Sequence, residues 1–189
     1  MITFRKIIIP FVLFVLPITG MAEQVTEEWV ARFNGSSIDS NDKPVAMAVD
    51  SNGDVYVTGS STHTGKDIVT IKYNSNGSML WSDRYNGSDN LGDSPADLKV
   101  DSEGNVYVAG YSIQHDRSLA LLIKYDSDTG NRRWVKRTNY SGHDRERIQS
   151  IVLDSLGNIY TAAYATSGSI YKGAYFISKY NKEGEFIRV

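Results

Sequence analysis

One pattern recurs three times along this chain, and it constrains the fold more tightly than any figure of composition. Val49-Asp50-Ser51-Asn52-Gly53-Asp54-Val55-Tyr56-Val57-Thr58-Gly59 returns as Val100-Asp101-Ser102-Glu103-Gly104-Asn105-Val106-Tyr107-Val108-Ala109-Gly110. It returns again as Leu153-Asp154-Ser155-Leu156-Gly157-Asn158-Ile159-Tyr160-Thr161-Ala162-Ala163, so successive aspartates stand 51 and then 53 residues apart. Two other motifs keep the same beat. Ile71-Lys72-Tyr73 is matched by Ile123-Lys124-Tyr125 and Ser178-Lys179-Tyr180, and Trp-x-x-Arg stands at Trp29/Arg32, Trp81/Arg84 and Trp134/Arg137. A period of this length means stacked supersecondary units that bury their apolar faces only against one another, and it suits one blade of a β-propeller.

Each repeat reads as four short strands rich in Val, Ile, Tyr and Thr, separated by Gly/Asn/Asp/Ser clusters. In the first copy these are 45–49, 54–60, 67–73 and 78–85. No stretch carries a helical period. Val55-Tyr56-Val57 is apolar on both faces, as a strand sandwiched between neighbouring sheets must be. The fold class is therefore all-β: three four-stranded antiparallel blades over 44–85, 95–138 and 148–189, with 27–34 as an additional outermost strand. Three blades make a partial propeller, or one completed by oligomerisation.

Residues 1–22 are of another kind. Arg5 and Lys6 precede an apolar run from Ile7 to Ile18, and Gly20-Met21-Ala22 offers small residues where a signal peptidase reads. A membrane span needs about 20 apolar residues, and this run is shorter and holds Pro10 and Pro17. The expectation is a cleaved signal peptide, a repeat domain over 23–189, and no stable membrane insertion after cleavage. Losing Arg5 and Lys6 with no acid moves the formal net charge from −2 to −4. The chain has no cysteine. That excludes a disulfide scaffold and a lipid-anchored lipoprotein, and export without disulfides points to a bacterial protein, secreted, periplasmic or cell-surface.

The connections fall into two classes. Turns such as Asp50-Ser51-Asn52-Gly53 and Asn74-Ser75-Asn76-Gly77 are tight and keep their length between repeats; Asp or Asn bonds back to the turn and Gly takes φ > 0. Asp50-Ser51-Asn52-Gly53-Asp54 begins like a calcium loop but lacks the later Glu ligand, so turn chemistry explains it. The loops joining second to third strands, and those joining blades, are longer and vary. In an up-and-down blade both kinds emerge on one side, which makes that side the candidate ligand-binding face. It carries Asp42, His63, Asp93, His115, His143, Asp144 and Glu146, together with Asp39, Asp89, Asp116 and Arg145.

There is no cysteine nucleophile, no Gly-x-Ser-x-Gly elbow, and no His-x-x-x-His or Glu-x-x-His spacing, so no catalytic residue is assigned. His63 and His115 sit in related loops of different blades, too far apart to share one metal. Asp42 and Asp93 precede Pro44 and Pro95 where a central channel would open. A ring of such carboxylates, with Glu146 from the third blade, would bind calcium or sugar hydroxyls; the alternative is an Asx cap at the start of a strand. Arg132-Arg133-Trp134-Val135-Lys136-Arg137 is read as an outer strand guarded by charge, and an acidic mature chain argues against a nucleic-acid partner.

Tyr85-Asn86-Gly87-Ser88, then Asp93, then Leu98-x-Val100 through Ser112 resembles the bacterial SBBP β-propeller repeat, and the resemblance runs through the whole of 23–189 in three copies. It implies an exported or surface-associated propeller and supplies no catalytic residues. Tyr125-Asp126-Ser127-Asp128-Thr129-Gly130 with Trp134 is similar to the PQQ-type repeat, in which Gly and Trp lock neighbouring blades; the remainder of that pattern is missing, and no quinone cofactor follows. The expectation is a non-enzymatic binding or scaffold module of the cell envelope with a protein or glycan partner and no cofactor. The alternative is an envelope hydrolase or lyase with a cation in the central channel. Propellers have about four to eight blades, so three imply either a homo-oligomer that completes the ring or a piece of a longer chain.

Overall fold

A computed structural model describes residues 27–35, 41–62, 65–139, 144–167 and 173–187. Residues 1–22, expected to be a signal peptide, and His63 and His143 lie outside the described residues.

The first blade is a four-stranded antiparallel sheet in chain order: β1 (Asp42–Val49), β2 (Val55–Thr62), β3 (Lys66–Tyr73) and β4 (Met79–Tyr85). The second repeats it with β5 (Asp93–Val100), β6 (Val106–Gln114), β7 (Arg117–Tyr125) and β8 (Arg132–Thr138). The third contributes β9 (Arg145–Leu153), β10 (Ile159–Thr166) and β11 (Gly173–Tyr180). Two details depart from the expected three separate four-stranded sheets. A single parallel bridge, Ser118 to Arg145, joins β7 to β9, so the second and third blades form one hydrogen-bonded sheet. Among the described residues the third blade has three strands, and its fourth is represented only by a bridge between Tyr180 and Phe186.

Local chemistry sets the strand ends. In the first turn of each blade Asp50, Asp101 and Asp154 accept through Oδ1 from the amides two and four residues on. Gly53, Gly104 and Gly157 in these turns all take positive φ. Pro44 and Pro95, which cannot donate to a ladder, sit at register shifts at the start of β1 and β5. They face Gly59 and Gly110, and a Cβ on Gly110 would stand 2.0 Å from the Ser94 carbonyl oxygen.

Alternation along each strand sends one set of side chains forward to the next blade and one set back. Tyr56, Ile68, Trp81 and Tyr85 of the first blade interdigitate with Leu98, Val106, Val108, Leu121, Ile123 and Tyr125 of the second. Tyr107, Ala109, Ala120 and Leu122 on the other face of the second blade pack against Ile148, Ile151, Ile159, Ala163 and Tyr180 of the third. The rear of the first blade, Val55, Val69, Ile71 and Tyr73, is covered by Ala31 and Phe33. Residues 27–35, including the 27–34 read from the sequence as an outermost strand, lie against this rear face but pair with no strand among the described residues.

One lock repeats at each junction. The indole of Trp29, Trp81 or Trp134 lies against Gly77, Gly130 or Gly184 in the last turn of the following blade. Its Nε1 donates to a carbonyl of that turn, Ser75 at 3.1 Å, Ser127 at 2.8 Å and Lys182 at 3.4 Å. Glycine is required twice over at Gly130: φ is 70°, and a Cβ would stand 2.7 Å from the Trp81 ring. Thus Trp-x-x-Arg and the turn glycine, separated by almost a full repeat, are two halves of one contact.

Candidate functional site

On the variable-loop side the expected convergence of loops is observed. The backbone amide of His115, in the β6–β7 turn, donates to Asp89 Oδ2 at 2.9 Å, and Ile113 donates to the Gly92 carbonyl at 3.0 Å, both in the linker ahead of the second blade. On its other flank Ser118 donates to the Asp144 carbonyl at 3.1 Å, in the linker ahead of the third. The turn is left-handed at both His115 and Asp116, as a two-residue hairpin connection between twisted strands requires. A cavity of about 340 Å³ opens there, lined by His115, Asp116, Arg117, Asp144, Arg145 and Thr166.

His115 and Asp144 are thus brought to one concavity. The His115 imidazole is solvent-exposed, with Nδ1 3.5 Å from Asp89. Asp89 is held below the usual carboxylate range by the His115 amide first, then by Ser88. The side chains of Arg117 and Arg145 flank the cavity and form no hydrogen bond or ion pair among the described residues. Arg147 stacks on Tyr111, 4.1 Å from the ring centre, and donates to Ser118 Oγ. Arg117 and Arg147 close the variable stretches 112–117 and 139–147 and Thr166 ends β10, and the sequence singles out none of the three as a site residue. The only sequence signal for them is proximity to a turn.

Asp42, Asp93 and Glu146 occupy the same position in the three blades, opposite Ser61, Ser112 and Ala165. Asp42 Oδ2 accepts from the Gly35 amide at 2.7 Å, and Asp93 Oδ2 accepts from the Gly87 amide at 2.7 Å. Both carboxylates therefore fasten the linker that enters their own blade. Among the described residues no group of three His, Cys, Asp or Glu side chains is placed to hold a metal ion. Asp93 is fully buried, its Oδ1 has no hydrogen-bond partner, and burial pushes its carboxyl above the usual range. The nearby Asp67 charge adds to that push, while Ser112, close by but off hydrogen-bond alignment, the Gly87 amide and Arg137 oppose it. Glu146 is buried as well.

The tight-turn side carries a relay that the sequence left unseen. Asp50, Asp101 and Asp154 use Oδ2 to accept from Tyr56, Tyr107 and Tyr160 at 3.0, 3.0 and 3.1 Å. Lys72, Lys124 and Lys179 stand over those rings, 5.1, 5.0 and 5.0 Å from their centres. This is structural chemistry: each aspartate closes a turn and orients the tyrosine on which a cation packs.

Radially stacked four-stranded sheets, joined by a repeated tryptophan lock and offering variable loops on one side, define a propeller-type binding or scaffold fold. Residues 28–65 match the family model of the SBBP beta-propeller repeat. The match runs from the Trp29 segment through β1 and β2, placing that segment at the head of a repeat unit. No curated protein matches the sequence significantly.

Proposed function

We propose that the chain is an exported bacterial propeller module of the cell envelope that binds its partner through the variable-loop face and performs no chemistry itself. The partner presents carboxylates, on a glycan or on a protein loop. What supports this reading above all is the pair Arg117 and Arg145, two guanidiniums beside one concavity that have no partner among the described residues. A guanidinium offers a fork of donors that matches a carboxylate, and these two give none of them to another described residue. Asp116, Asp144 and His115 around them supply the mixed polarity that orients a hydroxylated ligand. The apolar run after Arg5 and Lys6 supports export, and the acidic balance of 23–189 argues against nucleic acid.

The reading is tested by calorimetric titration with an oligogalacturonide and with an acidic peptide, on the native chain and on Arg117→Ala/Arg145→Ala. Binding of one probe that weakens at least about tenfold in the double variant is expected, since each charge-assisted pair is worth on the order of 1.5–3 kcal/mol. Failure of both probes to bind, or equal affinity in the double variant, would sink it.

A further inference from the structure

The locks leave one donor and one acceptor over. At the junction of the first and second blades, the Ser127 carbonyl accepts from Trp81 Nε1 at 2.8 Å and from Lys72 Nζ at 3.3 Å. At the next junction the Lys182 carbonyl accepts from Trp134 Nε1 at 3.4 Å and from Lys124 Nζ at 3.5 Å. The Ser75 carbonyl, in the equivalent turn of the first blade, receives Trp29 alone among the described residues. Lys179, the equivalent lysine of the third blade, stands over Tyr160 as its counterparts do over Tyr56 and Tyr107, with no turn carbonyl ahead of it among the described residues. A carbonyl has room for two donors, so the half-filled acceptor at one end of the molecule matches the unused donor at the other.

The apolar faces repeat the match. Met47, Leu98 and Ile151 are equivalent rear-facing positions with 64, 1 and 0% exposure. Ile177 is the forward-facing equivalent of Leu122, with 64% against 2%, and Tyr175 of Ala120, with 84% against 2%. The rear of the first blade keeps a cavity of about 300 Å³ between Trp29, Phe33, Met47 and Val57, because residues 27–35 cover only part of it. Finally, residues 27–35 pair with no described strand, while the outer edge of β11 is met among the described residues only by Phe186, bridged to Tyr180, and by the Ile187 amide, which donates to the Lys179 carbonyl at 2.8 Å, leaving Gly173–Ser178 open.

We propose that a second copy of the chain docks the rear of its first blade against the open face of the third blade, with its residues 29–33 completing that blade as the fourth strand. The register follows from the intact blades, where Trp81 pairs with Lys72 and Trp134 with Lys124. Ala31 then pairs with Ile177 and Phe33 with Tyr175 of the other copy, Trp29 takes the place opposite Lys179 that the Ile187 amide holds in the single chain, and Lys179 reaches the Ser75 carbonyl. The contact is head to tail, so it closes only if the rotation closes. Two copies bring six blades, inside the range of roughly four to eight that forms a ring, and the same junction is then made twice. This inference goes beyond the loop-face function and does not depend on it.

The test uses the whole chain, which has no cysteine of its own. Ala31→Cys and Ile177→Cys are made separately, mixed at micromolar concentration and oxidised mildly, because paired positions on adjacent antiparallel strands lie within disulfide reach. A disulfide-linked dimer is expected in that mixture and not when Ala31→Cys is mixed with Leu156→Cys, whose cysteine is exposed in the β9–β10 turn. Light scattering should give the mass of two chains for the native protein and of one chain for Ile177→Asp, with the same β-type circular dichroism. A one-chain mass for the native protein overturns the proposal, as does a dimer that fails to form this crosslink or forms it equally with Leu156→Cys. A one-chain mass would mean that the open face waits for a further blade of the same polypeptide.

Discussion

The two inner junctions and the two outer faces are built from the same positions of the same repeat, yet they bury very different amounts. Leu98 and Ile151 are fully enclosed between blades, whereas Met47, at the equivalent place, is mostly in water. Leu122 is enclosed and Ile177 is not. The repeat thus specifies a surface that is adhesive in both directions, and a side chain becomes core only when another blade stands opposite it. Stability in such an array is nearly a sum of neighbour terms, so an inner position and its outer equivalent should respond to the same substitution by different amounts.

The widest separation is expected at the lock. Trp81→Ala should cost about 3–5 kcal/mol, the range for emptying a large aromatic site, and Trp29→Ala, partly exposed and unsupported by a sheet of its own, about 1–2. Urea denaturation of both variants measures this; equal losses would mean that the N-terminal segment is as integral as β4. Next come Leu98→Ala and Met47→Ala. The first should lose roughly 2–5 kcal/mol and the second less than about 0.5 under dilute conditions. A large loss for Met47→Ala that grows with protein concentration would show the outer face to be covered in solution.

A smaller effect is expected from Tyr107→Phe, which removes a hydroxyl bonded to Asp101 in the enclosed junction: about 1–2 kcal/mol, against less for Tyr160→Phe on the open face. Tyr107 is also pushed well above the ordinary phenol range, by burial first and then by Asp101, so its hydroxyl stays a donor throughout the neutral range.

Two aspartates of β5 sharpen the comparison by pH. Burial pushes Asp97 up, but Lys99, the Ile151 amide at 3.0 Å and Ser150 together hold its carboxyl below the ordinary range. Its contribution is present above the ordinary carboxylate pKa and is lost as pH falls through the depressed folded value. Asp93 is raised, so its contribution is complete below the ordinary value and is lost as pH rises through the folded one. Asp97→Asn should therefore be less stable than the native protein at pH 7 and converge with it in acid, while Asp93→Asn should match or exceed it at pH 7 and lose that advantage in acid. Thermal melts from pH 3 to 8 decide; parallel curves for the two variants would contradict the opposite signs.

The loop face was partly legible beforehand. His115 and Asp144 could be assigned to one side because loop length varies there while the tight turns are constant, and that distinction is visible in a bare sequence. Arg117, Arg147 and Thr166 were not singled out, since a residue at or near a strand end carries no mark of the cavity beside it. Asp42 and Asp93 looked like channel carboxylates because each precedes a proline. Only the fold shows that each spends an oxygen on the amide of a glycine in its own linker.

The sequence by itself determined the repeat, the strand and turn alternation, and the residues of the lock, because these depend on local chemistry: β-branched alternation, Asp and Gly in tight turns, and Pro at a bulge. Tertiary structure alone decided that Trp81 meets Gly130, that Tyr56, Asp50 and Lys72 form one relay, and that Met47 and Ile177 face water while their equivalents are enclosed. Identical local patterns acquire different environments according to what stands on the far side of each sheet. That is a property of neighbours about fifty residues away, which no local pattern can encode.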